Sequence, residues 1–162
     1  MHTLKVGDVA VHPAHGVAEV MGIESREISG GRVTFYILKV LETGIKIFLS
    51  TEKVEQSGVR AVIDEREASE IYDILKGRDS AIDSETWPRH QGEVVAKVRA
   101  GAARDLAAAM RDTRQLKVDR DLSFTERKLM RTARSILVRE LSIAKKTDVR
   151  AVEQELSRLL DS

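Results

Sequence analysis

Cysteine is absent from the 162 residues, and proline occurs twice, at Pro13 and Pro88. Without thiols the chain forms neither a disulfide nor a thiolate metal site, and a reducing compartment suits it. Aromatic residues are scarce, with three phenylalanines, two tyrosines and one tryptophan, Trp87. No apolar run approaches the roughly 18 residues of a membrane span, and the opening, Met1 to Asp8, has no apolar stretch suited to export. The expected address is the cytoplasm, with no membrane partner. An excess of one charge is missing too. The formal net charge is +1, so bulk charge points to no nucleic-acid partner. Motifs of catalysis are also lacking: the chain has no P-loop, no G-x-G-x-x-G and no G-x-S-x-G. It reads as a non-enzyme that needs no cofactor.

What is present suits one compact domain or two small ones. Hydrophobic residues make up 42% and charged residues 33% of the chain, as in a folded rather than a disordered protein. The charges are unevenly spread. Residues 1–80 hold 10 Lys/Arg against 13 Asp/Glu, and residues 81–162 hold 17 against 13. The halves therefore suit different partners, the second an anionic one.

The first ~60 residues carry strand patterns. Asp8 to His12 is short and Val-rich, and Pro13-Ala14-His15-Gly16 makes a turn. Val17 to Ile28 is extended, with a bulge expected at Gly22. Ser29-Gly30-Gly31 is a hairpin turn, Val33 to Leu41 a strand, and Thr43-Gly44 another turn. Ile45, Ile47 and Leu49 then alternate with Lys46 and Phe48. Short strands joined by tight turns predict a small antiparallel barrel.

The period turns helical near residues 62–66, which sets the expected domains at 1–62 and 63–162. Ala68, Ile71, Tyr72 and Leu75 mark a first helix closed by Gly77. Residues 78–86 read as a loop. Val94, Val95 and Val98 mark a second helix ending near Gly101, and Leu106, Ala109, Met110, Thr113 and Leu116 a third. Residues 119–122 connect it to a fourth, whose start carries the capping box Ser123-Phe124-Thr125-Glu126. At 100° per residue, Leu129, Met130, Ala133, Ile136, Leu137, Leu141 and Ala144 share one arc. Glu140 intrudes on that arc and needs a partner, expected to be an arginine of another helix. A fifth helix runs from about Asp148 to Leu160. The fold class is α+β: a small antiparallel β-barrel, then an all-helical domain of about five helices.

The remaining polar groups have plain readings. His12 and His15 share a turn with no evident third ligand, so no metal site is expected. Asp64, Glu65, Asp119 and Asp121 sit at helix boundaries, where acids act as caps. Arg127, Lys128, Arg131 and Arg134 form a stripe on the fourth helix that is either a solvated face or a phosphate track. Trp87, in Thr86-Trp87-Pro88-Arg89-His90, is either a core residue or an exposed wedge beside basic groups.

Several segments together resemble the CarD/CdnL family. They are Lys5-Val6-Gly7-Asp8, His12-Pro13, His15-Gly16-Val17, Phe35-Tyr36-Ile37-Leu38-Lys39-Val40, Gly58-Val59-Arg60, Asp121-Leu122-Ser123-Phe124 and Glu126-Arg127-Lys128. The likeness runs from end to end, through Ala133-Arg134 and Glu140-Leu141, with a tryptophan in the matching loop. It implies a Tudor-like N-terminal domain that binds the RNA polymerase beta subunit. It also implies a helical domain that contacts promoter DNA at the upstream edge of the bubble, weakly and largely without regard to sequence. Polymerase binding would fall to Arg26 and to the strands bearing Phe35, Ile37, Lys39, Lys46 and Phe48. DNA binding would fall to Trp87, Arg89, His90, Arg127, Lys128, Arg131 and Arg134.

The chain departs from the family pattern at Ser50, where members often have proline, and after the tryptophan. There Pro88, Arg89, His90 and Gln91 replace a polar residue, two arginines and an aromatic, so one permanent charge is missing. Gly92 then stands where a helix former is expected. The reading is a monomeric regulator that stabilises the open promoter complex. Its rival is an adaptor that binds polymerase, or another protein, without DNA. Phe48 is a docking anchor if it faces outward and a core residue if it does not.

Overall fold

The computed structural model describes residues 4–78 and 81–161, so residues 79 and 80 of the expected 78–86 loop lie outside the described residues. The chain divides into two compact units between Val62 and Ile63.

The first unit is an antiparallel sheet of five strands: β1 (Val9–His12), β2 (Gly16–Ile28), β3 (Gly31–Val40), β4 (Lys46–Ser50) and β5 (Arg60–Ala61). Their order is β4-β3-β2-β1-β5. This is the Tudor-like β domain expected, with additions that strand periodicity does not announce. A 3₁₀ turn (Thr51–Lys53), a single-turn helix α1 (Val54–Ser57) and the two-residue β5 follow β4.

Local chemistry sets the register. Ile28 pairs with Gly31, leaving Ser29 and Gly30 as a two-residue turn, both with positive φ (46° and 82°). That backbone matches the strands' right-handed twist, and glycine adopts it without strain. The β2–β3 register shifts between Val20 and Gly22, the bulge expected there. Alternation along β3 then sends Tyr36, Leu38 and Val40 inward, where Leu4, Ala10, Ala18, Val20, Val54 and Val59 complete the core. The Tyr36 hydroxyl accepts the Leu4 amide at 3.2 Å, closing the N-terminal segment over that core.

The β1–β2 turn holds the two histidines, with ring centroids 4.8 Å apart. His12 Nδ1 accepts the Ala14 amide at 3.1 Å, a bond that needs this nitrogen unprotonated. Burial, and then the neighbouring His15, push the His12 pKa below its ordinary 6.5. More than about a unit above that value His12 is neutral whether folded or unfolded. As pH falls below it, the unfolded chain takes the proton first, so folding stability declines. The unfolding midpoint should therefore drop between about pH 7.5 and about pH 5.5, and His12→Asn should remove part of that drop. An identical pH profile for the variant would refute the assignment.

The second unit holds α2 (Glu65–Lys76), α3 (Trp87–Ala100), α4 (Ala103–Asp112), α5 (Val118–Asp121), α6 (Phe124–Lys145) and α7 (Val149–Leu160). Five are the helices expected; α5 is a single turn that overlaps the expected connector and starts one residue before it. Asp64 caps α2 in a capping box with Glu67, and Gly77 closes it. Ser123 and Glu126 form the box at the head of α6. Asp148 caps α7 by accepting the Arg150 amide. α4 stops at Asp112, short of the expected pattern's end, where the Thr113 hydroxyl donates to the Ala109 carbonyl at 2.7 Å. Leu116 is buried all the same, from a turn rather than a helix. No helix among the described residues is long and apolar enough to cross a membrane.

α6 runs through the middle of this unit, touching α2, α3, α4 and α7. Ala133, Ile136, Leu137 and Leu141 of its apolar arc are buried, and so is Val138 outside the arc, because neighbours enclose more than one face. Glu140 is 0% exposed, and its Oε1 accepts the Ile63 amide at 3.3 Å. A buried carboxylate thus meets a backbone donor that the start of the unit would otherwise leave unpaired. In α3, Gly92 has no such structural reason: a Cβ built there meets nothing within 4 Å.

Candidate binding surfaces

The six residues expected to bind polymerase lie on one face of the sheet. Register pairs Ile37 with Phe48 and Lys39 with Lys46 across β3 and β4. Across β2 and β3 it pairs Glu24 with Phe35 and Arg26 with Val33. Directly paired residues share a face, as do residues two apart on a strand, so all six stand opposite the buried Tyr36, Leu38 and Val40. Phe48 is 45% exposed. It faces outward because the core side of β4 is taken by Ile47 and Leu49. The Arg26 guanidinium lies 5.0 Å over its ring, and Arg26 Nε meets Glu24 Oε1 at 2.8 Å. A cation–π contact of this kind orients an arginine that would otherwise be free to swing. Lys39 and Lys46 are directly opposed like charges, an arrangement that costs stability unless an anion answers it. β4 is also an edge strand, with one side of its backbone ladder unpaired in the sheet.

The DNA-binding candidates do not all lie on one surface. Trp87 is the first residue of α3 and only 4% exposed. The wedge reading of the sequence needs an exposed indole, and the structure buries it. The loop before it is tightly held. The Asp83 side chain accepts the Thr86 amide at 2.8 Å, and its carbonyl accepts the Trp87 amide at 2.9 Å. The Thr86 amide and then its hydroxyl hold the Asp83 carboxyl below the usual carboxylate range. Asp121 Oδ2 takes the Ser84 hydroxyl at 2.6 Å and the Lys117 amide at 2.7 Å. These donors, the Ser84 hydroxyl foremost, depress its pKa as well. The acids at these boundaries thus fasten turns, as capping chemistry predicts. Arg89 and His90, on the next positions of α3, are exposed.

On α6 the expected stripe splits. Lys128 and Arg131 are exposed, whereas Arg127 and Arg134 are half-buried. Arg127 Nη1 donates to the Leu122 carbonyl at 3.3 Å. Arg134 Nε meets Glu153 Oε1 of α7 at 2.7 Å, and its Nη2 donates to the Ser157 hydroxyl at 2.9 Å. Arg134 is therefore committed to the fold. The side chain of Gln91 of α3 donates to Glu126, tying α3 to the head of α6. One residue that the sequence reading passed over stands out. Phe124 is 69% exposed and lies on the same helical face as Lys128 and Arg131, four and seven residues on. The available signal was the capping box, which puts Phe124 in a first turn with no earlier turn to pack on.

Both units have known counterparts. Residues 4–63 match the family model described as the CarD-like/TRCF RID domain, and residues 70–157 match the one described as CarD, C-terminal domain. The chain is 24% identical over 141 residues to a Bacillus subtilis (strain 168) protein named "Putative transcription factor YdeB". That match covers 87% of this chain and 92% of its relative. Two solved Myxococcus xanthus structures are also similar. CdnLNt is 46% identical, with a TM-score of 0.34, over 39% of this chain and 89% of that one. The solution NMR structure of the 72-residue N-terminal domain of CarD is 36% identical, with a TM-score of 0.32, over 36% of this chain and 79% of that one.

Proposed function

Since the chain belongs to the CarD/CdnL family of transcription regulators, we propose that it binds the RNA polymerase beta subunit through its β unit. We propose further that its helical unit stabilises the open promoter complex by contacting DNA at the upstream edge of the bubble. The observation that carries this reading is the outer face of the sheet. An aromatic anchor held by Arg26, two opposed lysines and an open strand edge are gathered there. Such a surface suits a partner that adds a strand to β4 and brings acidic side chains to Lys39 and Lys46.

DNA contact rests on less. Arg89, His90, Lys128 and Arg131 offer exposed polar and cationic groups, and Phe124 an exposed ring. Groups of this kind hold phosphates without reading sequence, so the affinity of the free protein is weak. Docking on polymerase then raises the effective concentration of the helical unit at the promoter. Acting this way the chain works as a monomer in the cytoplasm, with no chemistry of its own.

The burial of Trp87 favours a second reading, an adaptor that uses the β unit alone. The lifetime of open complexes after competitor challenge, with the cognate polymerase and the full-length chain, separates the two. A severalfold longer lifetime at saturating protein is expected. Polymerase binding with an unchanged lifetime would put the adaptor in its place.

A further inference from the structure

We propose that an arginine-ringed cleft in the helical unit binds a free nucleoside di- or triphosphate. The cleft has a volume of about 280 Å³, and four arginines line it: Arg114, Arg127, Arg131 and Arg134. The last three follow one another at four- and three-residue steps along α6, which puts their side chains on one face. Arg114 enters from the turn after α4. It is fixed there by the Arg111 carbonyl at 2.5 Å and the Arg78 carbonyl at 3.2 Å.

Among the described residues the charge is poorly answered. Arg114 and Arg127 donate to neutral carbonyls, which orient a guanidinium without cancelling its charge. Arg134 is matched by Glu153. Asp161 is the one carboxylate among the cleft's lining residues. Guanidinium cannot shed its proton, so the cluster keeps this excess at every physiological pH.

Apart from Thr113 the rest of the lining is apolar: Met110, Leu116, Leu122, Met130, Leu160 and Val118, which is 55% exposed. A bare inorganic anion makes no use of such a surface, and an uncharged apolar ligand makes no use of the arginines. A flat apolar body carrying several negative charges uses both. Planar guanidinia pair with phosphate oxygens through two donors and stack on heterocyclic rings. The two methionines adapt to such a ring. The volume falls just below the roughly 300–1,000 Å³ of ligand sites, so it suits a base and ribose with the phosphates at the rim, and no duplex. Lys128 and Phe124 are not among the lining residues, so the cleft shares only Arg131 with the outer face of α6.

The test is equilibrium binding to the full-length chain, without polymerase or promoter. The probes are ATP, GTP, inorganic pyrophosphate and a thymidine-only oligonucleotide. ATP or GTP should saturate one site per chain, and pyrophosphate, lacking the apolar body, should bind at least tenfold more weakly. Arg131→Ala should weaken nucleotide binding about tenfold, equivalent to about 1.4 kcal/mol. Val118→Glu, which sets a carboxylate at an exposed lining position, should weaken it as much. Both positions are exposed, so the unfolding midpoint should not move and a misfolded variant can be recognised. Three results would overturn the proposal: pyrophosphate binding as tightly as ATP and GTP, both variants binding normally, or no saturable nucleotide binding at millimolar concentration. Binding of the oligonucleotide more tightly than ATP and GTP, with competition between them, would also overturn it and assign the cleft to single-stranded DNA.

Discussion

Phe48→Asp should abolish retention of the polymerase beta subunit by the full-length chain while leaving the unfolding midpoint almost unchanged. The ring is 45% exposed and stands on the outer face of an edge strand, so its loss removes little core. Surface substitutions of that kind usually move stability by no more than about 0.5 kcal/mol. Buried aromatic anchors of interfaces, by contrast, cost about 2 kcal/mol or more when truncated, a factor near thirty in affinity. Aspartate adds an unpaired charge to that loss. It also removes the ring under the Arg26 guanidinium, so Arg26→Ala combined with a Phe48 variant should cost less than the sum of the separate losses. Wild-type retention by Phe48→Asp, measured by pull-down with the beta subunit, would show that the outer face is not the docking side.

Trp87→Ala should lower folding stability by about 3–5 kcal/mol, the range for emptying a buried aromatic site. Domains are stable by only about 5–15 kcal/mol, so this variant will populate unfolded chains on modest heating. It is a poor probe of DNA contact for that reason. Trp87→Phe keeps most of the apolar volume and removes the indole, and it is the variant to carry into open-complex assays. Fluorescence supplies the complementary measurement. At 4% exposure, indole emission from the free protein should be blue-shifted. If the indole works as a wedge, polymerase and promoter together should shift that emission to the red or quench it, and Trp87→Phe should shorten the open-complex lifetime. An unmoved emission with an unchanged lifetime would make Trp87 a core residue and leave the adaptor reading standing.

The parts of this fold that the sequence displays are those governed by near neighbours. Ser123 and Glu126 announce a helix start because both halves of the capping box lie within four residues. Ser29-Gly30 announces a hairpin because the turn's backbone requires residues that tolerate positive φ. Burial set by distant elements is harder to read. Phe48 is flanked by Ile47 and Leu49, and either side of that strand could have been the core until β3 fixed it. Trp87 has polar neighbours along the chain, which give no sign that it is only 4% exposed in the fold. Arg134 looks like its neighbours Arg127 and Arg131 in sequence, yet Glu153, 19 residues away, takes it out of the exposed stripe. β5, two residues long, is too short to show any period.

Gly92 bears on how firmly the helix that carries the buried indole is held. It interrupts α3 five residues after Trp87, at a position where no neighbour excludes a side chain. Glycine in a helix interior weakens the helix by about 1 kcal/mol relative to alanine, close to a fivefold change in an equilibrium. The leading turns of α3 also carry no side-chain cap at Thr86. Against that weakness stand the Asp83 bonds to the Thr86 and Trp87 amides and the Gln91 bond to Glu126, which hold this end of the helix in place. The single glycine thus leaves the weakest link of α3 in the stretch of helix that those contacts bridge.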